Sequence, residues 1–255
     1  MKVKAALIFE QGLPKPYKKS QAVKIELVDL SGPAETEVMV RVVAAGVCHS
    51  DLSAVNGNRV RPVPMVLGHE GAGVVVEVGA LVKDISIGDH VAFIFMPNCG
   101  DCLQCRVGKP SNCEQGNAAN ASGRLLSGER RITLKGQQIN HYAGVSCFAE
   151  YVTSDHRSVV KLPKEIPFDV AAVFSCAVIT GVGAVVNTAK VPMGASVGVV
   201  GLGGVGLSAM LGAKASGARQ IIGIDPVKYK RDGAQQLGAD LVFDSDDPSV
   251  VEKIK

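Results

Sequence analysis

Short apolar runs punctuated by Gly, Pro and Asp fill the chain from residue 1 to about 162. Their partly alternating, β-branched character predicts strands over 3–9, 23–27, 37–45, 71–78, 90–95 and 148–153. The clearest are Val38-Met39-Val40-Arg41-Val42-Val43 and Val74-Val75-Val76-Glu77-Val78. Residues 114–144 carry little periodicity and are rich in Gly, Asn, Gln, Ser and Arg; they read as one long loop, either lining a cleft or running over the surface. After Pro163 the pattern changes. Pro167-Phe168-Asp169 opens an Ala- and Val-rich stretch that reads as a buried helix containing Cys176. Strands over 196–200, 221–224 and 241–243 then alternate with helices over 204–216 and 228–237, each helix stopped by a glycine (Gly217, Gly238). Strand, helix, strand, helix, strand is the mononucleotide-binding half of a doubly wound parallel sheet, of which about three of about six strands are visible. The segment from Pro248 reads as the start of a crossover helix, so the expectation is a fragment or a truncated product. The fold class is α/β: a β-rich, irregular barrel-like domain over 1–175, then a partial Rossmann domain over 176–255.

Composition narrows the function. The chain has 255 residues, 47% hydrophobic, enough for real cores. Its 27 basic and 24 acidic residues are interspersed, which announces no face for nucleic acid or an anionic membrane, so a small-molecule partner is expected. The apolar run 173–186 reads as too short for a bilayer and as interrupted by Ser175, Thr180, Gly181 and Gly183. The N-terminus lacks the length and cleavage signal of a secretory leader, and a cytoplasmic location is expected. Four of the seven cysteines crowd into residues 99–113, which points to metal ligation in a reducing compartment.

Three constellations carry chemistry. Gly201-Leu202-Gly203-Gly204-Val205-Gly206 follows a predicted strand and opens a predicted helix, the context a dinucleotide turn requires. Gly201 permits the tight turn, Gly203 lets backbone approach a pyrophosphate, and Gly206 allows close packing, with the helix N-terminus facing the anion. Asp225 ends the next strand, where a carboxylate accepts hydrogen bonds from an adenosine ribose and repels a 2′-phosphate; NAD is expected over NADP. Cys99, Cys102, Cys105 and Cys113 have the spacing of a closed, structural zinc lobe (about 97–114), and the long last interval disfavours an iron–sulfur cluster. Cys48, His69 and Cys176 offer three zinc-ligand side chains and one open position, as a catalytic zinc needs. Taken singly, each reads more often as a small buried cysteine or a satisfied core histidine.

Together with Gly46-Val47-Cys48-His49-Ser50-Asp51 and Gly68-His69-Glu70-Gly71-Ala72-Gly73, these motifs occur in the order seen in the zinc-dependent, medium-chain alcohol dehydrogenases, which the whole chain resembles. The resemblance implies a GroES-like catalytic domain and reversible hydride transfer between a zinc-bound alcohol and NAD. It implies that Cys48, His69 and Cys176 bind the catalytic zinc, that Glu70 can approach the metal, and that Asp51 orients His69. Ser50 resembles the hydroxyl that takes the substrate proton, while the position that continues the relay as histidine in several members is Ser53 here. His49 matches a pyrophosphate contact, Thr180 a nicotinamide-side contact and Lys230 a ribose-side contact, although Lys230 reads equally well as a solvated helix lysine. Phe95 and Tyr142 fall where the family lines its substrate pocket; Arg59 departs from the usual apolar residue and is expected to face either that pocket or solvent. A homo-oligomer, dimer or tetramer, is implied. The rival readings are an aryl-alcohol or formaldehyde-adduct dehydrogenase and an inactive zinc-binding module.

Overall fold

Val3, Ala5 and Leu7 are buried and Lys2 and Lys4 exposed along the first strand, the consequence of a period-two chain with one face turned to a core. The structure is a computed structural model that describes residues 1–254 and divides the chain into two units, Met1–Ser175 and Cys176–Lys255. In chain order the first unit contains β1 (Lys2–Ile8), β2 (Lys24–Leu30), β3 (Glu37–Gly46), α1 (His49–Val55), β4 (Met65–Val66), β5 (Glu70–Val78), β6 (His90–Phe93), α2 (Glu114–Ala121), β7 (Ile132–Leu134), β8 (Gln137–His141), β9 (Tyr151–Asp155) and β10 (Val159–Leu162).

Strands β1, β2, β7, β8 and β4 close a barrel, and β10, β6, β5, β3 and β9 form a five-stranded antiparallel sheet. The barrel is filled by Val3, Leu7, Val28, Leu30, Val66, Ile132 and Ile139. The sheet packs Val38, Val40, Val75, Val91, Phe93 and Val152 into a second cluster. Each such fully buried side chain contributes about 1.5–3 kcal/mol. Register matters most at one end: in the β3–β5 ladder Gly46 pairs with Glu70. The chain therefore leaves β3 two residues before Cys48 and enters β5 directly after His69, which brings these sequence-distant residues to one edge.

The long apolar helix, α3 (Phe168–Ala189), carries the boundary between the units. Its first turns lie on β3 and β5, where Ala171 and Ala172 meet Ala72 with Ala44 beside them; only small side chains allow that approach. The helix is longer than the apolar run predicted. By length and composition it could cross a membrane, because Ser175, Thr180, Gly181 and Gly183 do not interrupt it. They sit where the backbone changes winding, and Phe174–Val178 and Ala184–Ala189 are π-helical.

The second unit continues with β11 (Ser196–Val200), α4 (Gly204–Ala215), β12 (Gln220–Ile224), α5 (Lys228–Gln236), β13 (Leu241–Phe243) and α6 (Val250–Ile254). Its strands are parallel in the order β11-β12-β13, with Val185, Leu202, Met210, Ala213, Ile221 and Ala234 as the core.

The expected long loop is corrected. Residues 114–144 contain α2, β7 and β8, and the two strands belong to the barrel. Their inward positions are few and some are polar. Asn140 and His141 are buried beside Ile139, so hydropathy periodicity does not reveal them. The strand expected over 148–153 is β9 and begins at Tyr151, three residues after the expected start; β4 and β10 have no counterpart in the pattern.

Candidate metal centre and nucleotide turn

Asp51, on the first turn of α1, organises the edge between β3 and β5. Its Oδ2 accepts the Cys48 N–H at 3.1 Å, and its Oδ1 lies 3.3 Å from the Gly68 N–H and 3.2 Å from His69 Nδ1. One carboxylate thus fixes the backbone of Cys48, the residue before His69, and the imidazole itself. With Nδ1–H directed at Asp51, Nε2 keeps its lone pair for a metal. Both Asp51 and His69 are buried. Tyr142 and Phe95 close on the same imidazole edge-on, at ring separations of 5.5 and 5.6 Å.

Donor atoms of Cys48, His69 and Glu70 lie within 4.8 Å of one another. Gly46 makes room for the carboxylate: a Cβ there would stand 2.3 Å from Glu70 Oε2. The pocket is built for positive charge. Burial, the largest single influence on His69, opposes protonation, yet Asp51 and Cys48 together outweigh it and raise the imidazole to about 9. A soft thiol, an oriented imidazole and a carboxylate in such a field fit a zinc ion.

Cys176 is buried and lies in the π-helical turn that begins α3's middle section. The residue before it is anchored in the first unit, where Ser175 is fully buried and its hydroxyl donates to the Gly71 carbonyl at 2.9 Å while accepting the Gly71 N–H at 3.3 Å. Gly71 follows Glu70 in β5. Sequence reading passed over Ser175 as a break in an apolar run; its position beside a metal-type cysteine was the available signal. Gly46 was likewise read only as part of a motif.

The four-cysteine lobe brings its sulfurs within 4.8 Å of one another. Backbone N–H groups of Cys99 and Gly116 point at Cys113 Sγ, at 3.3 and 3.2 Å, and those of Asp101 and Cys102 at Cys99 Sγ, at 3.4 and 3.3 Å. Backbone donors from Cys105 and Glu114, foremost among its influences, pull Cys102 down to about 6. Amide donors favour thiolate at Cys102, whereas desolvation first and then its neighbouring thiols push Cys105 up to about 12, so zinc would have to displace that proton; all four tetrahedral positions are supplied. Cys147 stands apart from both groups: buried, its thiol donates to the Glu70 carbonyl at 3.1 Å.

In the second unit the glycine-rich turn has the geometry its spacing requires. Gly201 has φ of +90°, a Cβ on Gly206 would stand 1.8 Å from the Gly201 carbonyl oxygen, and a Cβ on Gly203 would meet nothing within 4 Å. Open space at Gly203 and the α4 N-terminus beside it fit a pyrophosphate. Asp225 is buried and braces the turn, accepting N–H groups of Leu202 and Val227, both at 2.8 Å, and these bonds hold its carboxyl below the usual range. Lys230 Nζ lies 3.8 Å from the same carboxylate. Thr180 is an exposed residue of α3.

Other expected site residues are placed as follows. His49 is exposed at the start of α1, and Ser50 and Ser53 are half-buried on it. Tyr142, expected to line the substrate pocket, is buried. Its hydroxyl donates to the Ser50 carbonyl at 2.9 Å, so it supports α1 from beneath, and burial pushes its phenol up to about 12. Phe95 is half-buried, and Arg59 is exposed.

Comparison with known proteins agrees with this geometry. The family model described as alcohol dehydrogenase GroES-like domain matches residues 34–164, and that described as zinc-binding dehydrogenase matches 204–255. An S-(hydroxymethyl)glutathione dehydrogenase of Synechocystis is 39% identical, with all of this chain and 67% of the relative covered. Alcohol dehydrogenase B of Mycobacterium tuberculosis is 39% identical over 95% of this chain and 63% of the relative. The crystal structure of benzyl alcohol dehydrogenase from Acinetobacter calcoaceticus superposes with a TM-score of 0.90 at 34% identity, covering all of this chain and 67% of that one. The chain thus spans about two thirds of the length of these relatives.

Proposed function

This chain belongs to the zinc-dependent, medium-chain alcohol dehydrogenase family, and we propose that it supplies the metal centre and the nucleotide turn of an NAD-dependent enzyme that interconverts alcohols with aldehydes or ketones. The observation that carries the reading is Asp51 holding both Cys48 and His69 beside Glu70. Cys48, His69 and Cys176 would hold the catalytic zinc, and Cys99, Cys102, Cys105 and Cys113 the structural one. Zinc, when bound, would supply Lewis-acid stabilisation of negative charge on the substrate oxygen, and NAD would supply the hydride acceptor.

The chain's own residues supply the rest. Asp51 keeps His69 in one tautomer and orientation and raises its basicity as a ligand. Ser50 offers the hydroxyl that takes the substrate proton, on a helix whose backbone Tyr142 pins from below. Ser53, one helical turn on, stands where several members of the resembled family carry a histidine. Glu70 stands beside the ligand set as a carboxylate able to compensate a change in coordination. On the nucleotide side, Gly201, Gly203, Gly204 and Gly206 shape the phosphate-binding turn, and Asp225 keeps lone pairs for a ribose beyond its two amide bonds. His49 and Lys230 supply positive or polar contacts to the cofactor, and Thr180 a contact near the nicotinamide.

A cytoplasmic homo-oligomer acting on a small alcohol or aldehyde is the setting that best suits this chemistry. Metal analysis tests the reading: two zincs per chain are expected, one of them lost on His69→Ala with the four-cysteine zinc retained. A single zinc indifferent to that substitution would overturn it and favour a zinc-binding module without catalytic metal. NADH formation from benzyl alcohol and from S-(hydroxymethyl)glutathione then separates the substrate readings suggested by the relatives' names.

A further inference from the structure

Two arginines next to the metal centre have no carboxylate partner. Elsewhere in the chain half-buried arginines are met by acids or other oxygens: Arg131 by Glu37 at 2.7 Å, Arg157 by Asp155 at 2.8 Å, Arg231 by Asp244 at 3.0 Å, and Arg130 by Asn140 and the Ser122 carbonyl. Arg59 and Arg61 make no such ion pair among the described residues. The Arg61 guanidinium carbon lies 5.8 Å from the centre of the Tyr142 ring, which in turn stands 5.5 Å from the His69 ring. Its Nε is buried with no hydrogen-bond partner. Burial, and then the neighbouring Arg59 charge, weaken Arg61's hold on its proton.

The placement is held, not loose. Gln11 clamps the segment that carries both residues: its Oε1 accepts the Arg61 N–H and its Nε2 donates to the Arg59 carbonyl, both at 2.9 Å. A second bond from Nε2 reaches the Ala54 carbonyl on α1. Gln11 thus fixes the backbone that carries two like charges, one of them half-buried and with an orphaned donor. That arrangement costs stability unless an anion offsets it. A guanidinium fork matches a carboxylate or phosphate bidentately, and charge-assisted bonds of this kind are the strong ones.

We propose that Arg61, assisted by Arg59, is a specificity-determining residue that receives an anionic group on the tail of the alcohol or aldehyde whose reacting oxygen meets the metal centre. The inference rests on the alcohol-oxidising reading above and adds the substrate's charge to it. A substrate so bound is anchored at two points, the reacting oxygen at the metal and the anion at the fork.

The test uses the full chain with cobalt in place of zinc, read by the visible absorption of the cobalt, with 4-(hydroxymethyl)benzoate and benzyl alcohol as probes. The carboxylate is expected to bind at least about tenfold tighter than the neutral alcohol, with a preference that shrinks as salt rises. Arg61→Gln should collapse the ratio of the two affinities by about tenfold, Arg59→Gln by less, and Arg61→Lys, which keeps charge without the fork, should restore part of it. Equal affinities in the unsubstituted protein, or a ratio that survives Arg61→Gln, overturn this inference while leaving the alcohol site standing. A cobalt spectrum that responds to neither probe overturns both.

Discussion

Ser175 and Gly71 bond each other twice, hydroxyl to carbonyl at 2.9 Å and amide to hydroxyl at 3.3 Å, and so tie the residue before Cys176 to the residue after Glu70. The pair is buried, and no other side chain could accept and donate from that spot without more volume. Ser175→Ala leaves two backbone groups of β5 without their partner at a cost of about 1–3 kcal/mol. The expected consequence is local: zinc at the catalytic centre is lost to a chelator about 10–100-fold more readily, the effect typical of groups that orient metal ligands. Zinc in the four-cysteine lobe should be unaffected. Ser154→Ala, which removes another buried hydroxyl bond of the same unit, to the Gly144 carbonyl, serves as the control that loses stability without loosening metal.

Asp51→Asn removes charge while keeping shape. With its oxygen at the Oδ1 position the amide keeps Gly68 and His69 but turns its NH₂ on the Cys48 N–H, and flipped it keeps Cys48 and opposes the other two; in either orientation the carboxylate's charge on the imidazole is gone. A 10–100-fold fall in affinity for the catalytic zinc is expected, with the protein still folded and the second zinc in place. Competitive zinc titration measures it; unchanged affinity would show that the imidazole is oriented by Phe95 and Tyr142 alone.

Legibility followed physical period and chemical rarity. The alternation in β1 stands in the sequence because one face is buried and the other is not, and the strand–turn–helix around Gly201 stands out by its glycine spacing. The cysteine lobe reads easily because four thiols at such spacing have few other uses. Barrel strands β7 and β8 do not show, since burial of Asn140 and His141 is satisfied by Arg130, the Arg131 backbone and the Pro64 carbonyl, partners no local window contains. Ser175 and Arg61 were missed for the same reason: their meaning lies in Gly71 and Tyr142, remote in sequence. Cys48 and His69 stand close because of the Gly46–Glu70 register, a tertiary fact that no local window contains.

The glycines of the nucleotide turn differ in what they tolerate. A methyl on Gly206 would stand 1.8 Å from the Gly201 carbonyl oxygen, a backbone atom that cannot step aside without opening the turn. Gly206→Ala is therefore expected to lower stability of the second unit by about 1–3 kcal/mol and to abolish NADH binding. A methyl on Gly203 meets nothing within 4 Å, and its φ of −82° suits alanine. Gly203→Ala should leave thermal stability within about 0.5 kcal/mol and still weaken NADH, because the methyl occupies the space a pyrophosphate approaches. Thermal melts beside NADH fluorescence titrations separate the two; equal loss of stability in both variants would refute the distinction.

His141 predicts an acid-sensitive barrel. It is fully buried in β8, Nε2 accepts the Arg131 N–H at 3.1 Å, and Nδ1 has no partner. Burial first, then the charges of Arg130 and Arg131, push it down to about 3, against about 6.5 in an unfolded chain. Between those values the unfolded state binds a proton that the folded state refuses, so stability rises with pH. The contribution is complete above about 6.5 and is lost as pH falls toward 3, at up to about 1.4 kcal/mol per pH unit. His141→Gln keeps an acceptor for Arg131 and removes the titration. In urea unfolding at pH 7 the variant is expected to be the weaker protein, since it packs less well. Its deficit should shrink, and then reverse, as pH is lowered to about 4.5. Protonation of the zinc thiolates acts on both proteins alike and cancels in the difference. A gap between the two that stays constant from pH 7 to 4.5 would show that some other group carries the acid sensitivity.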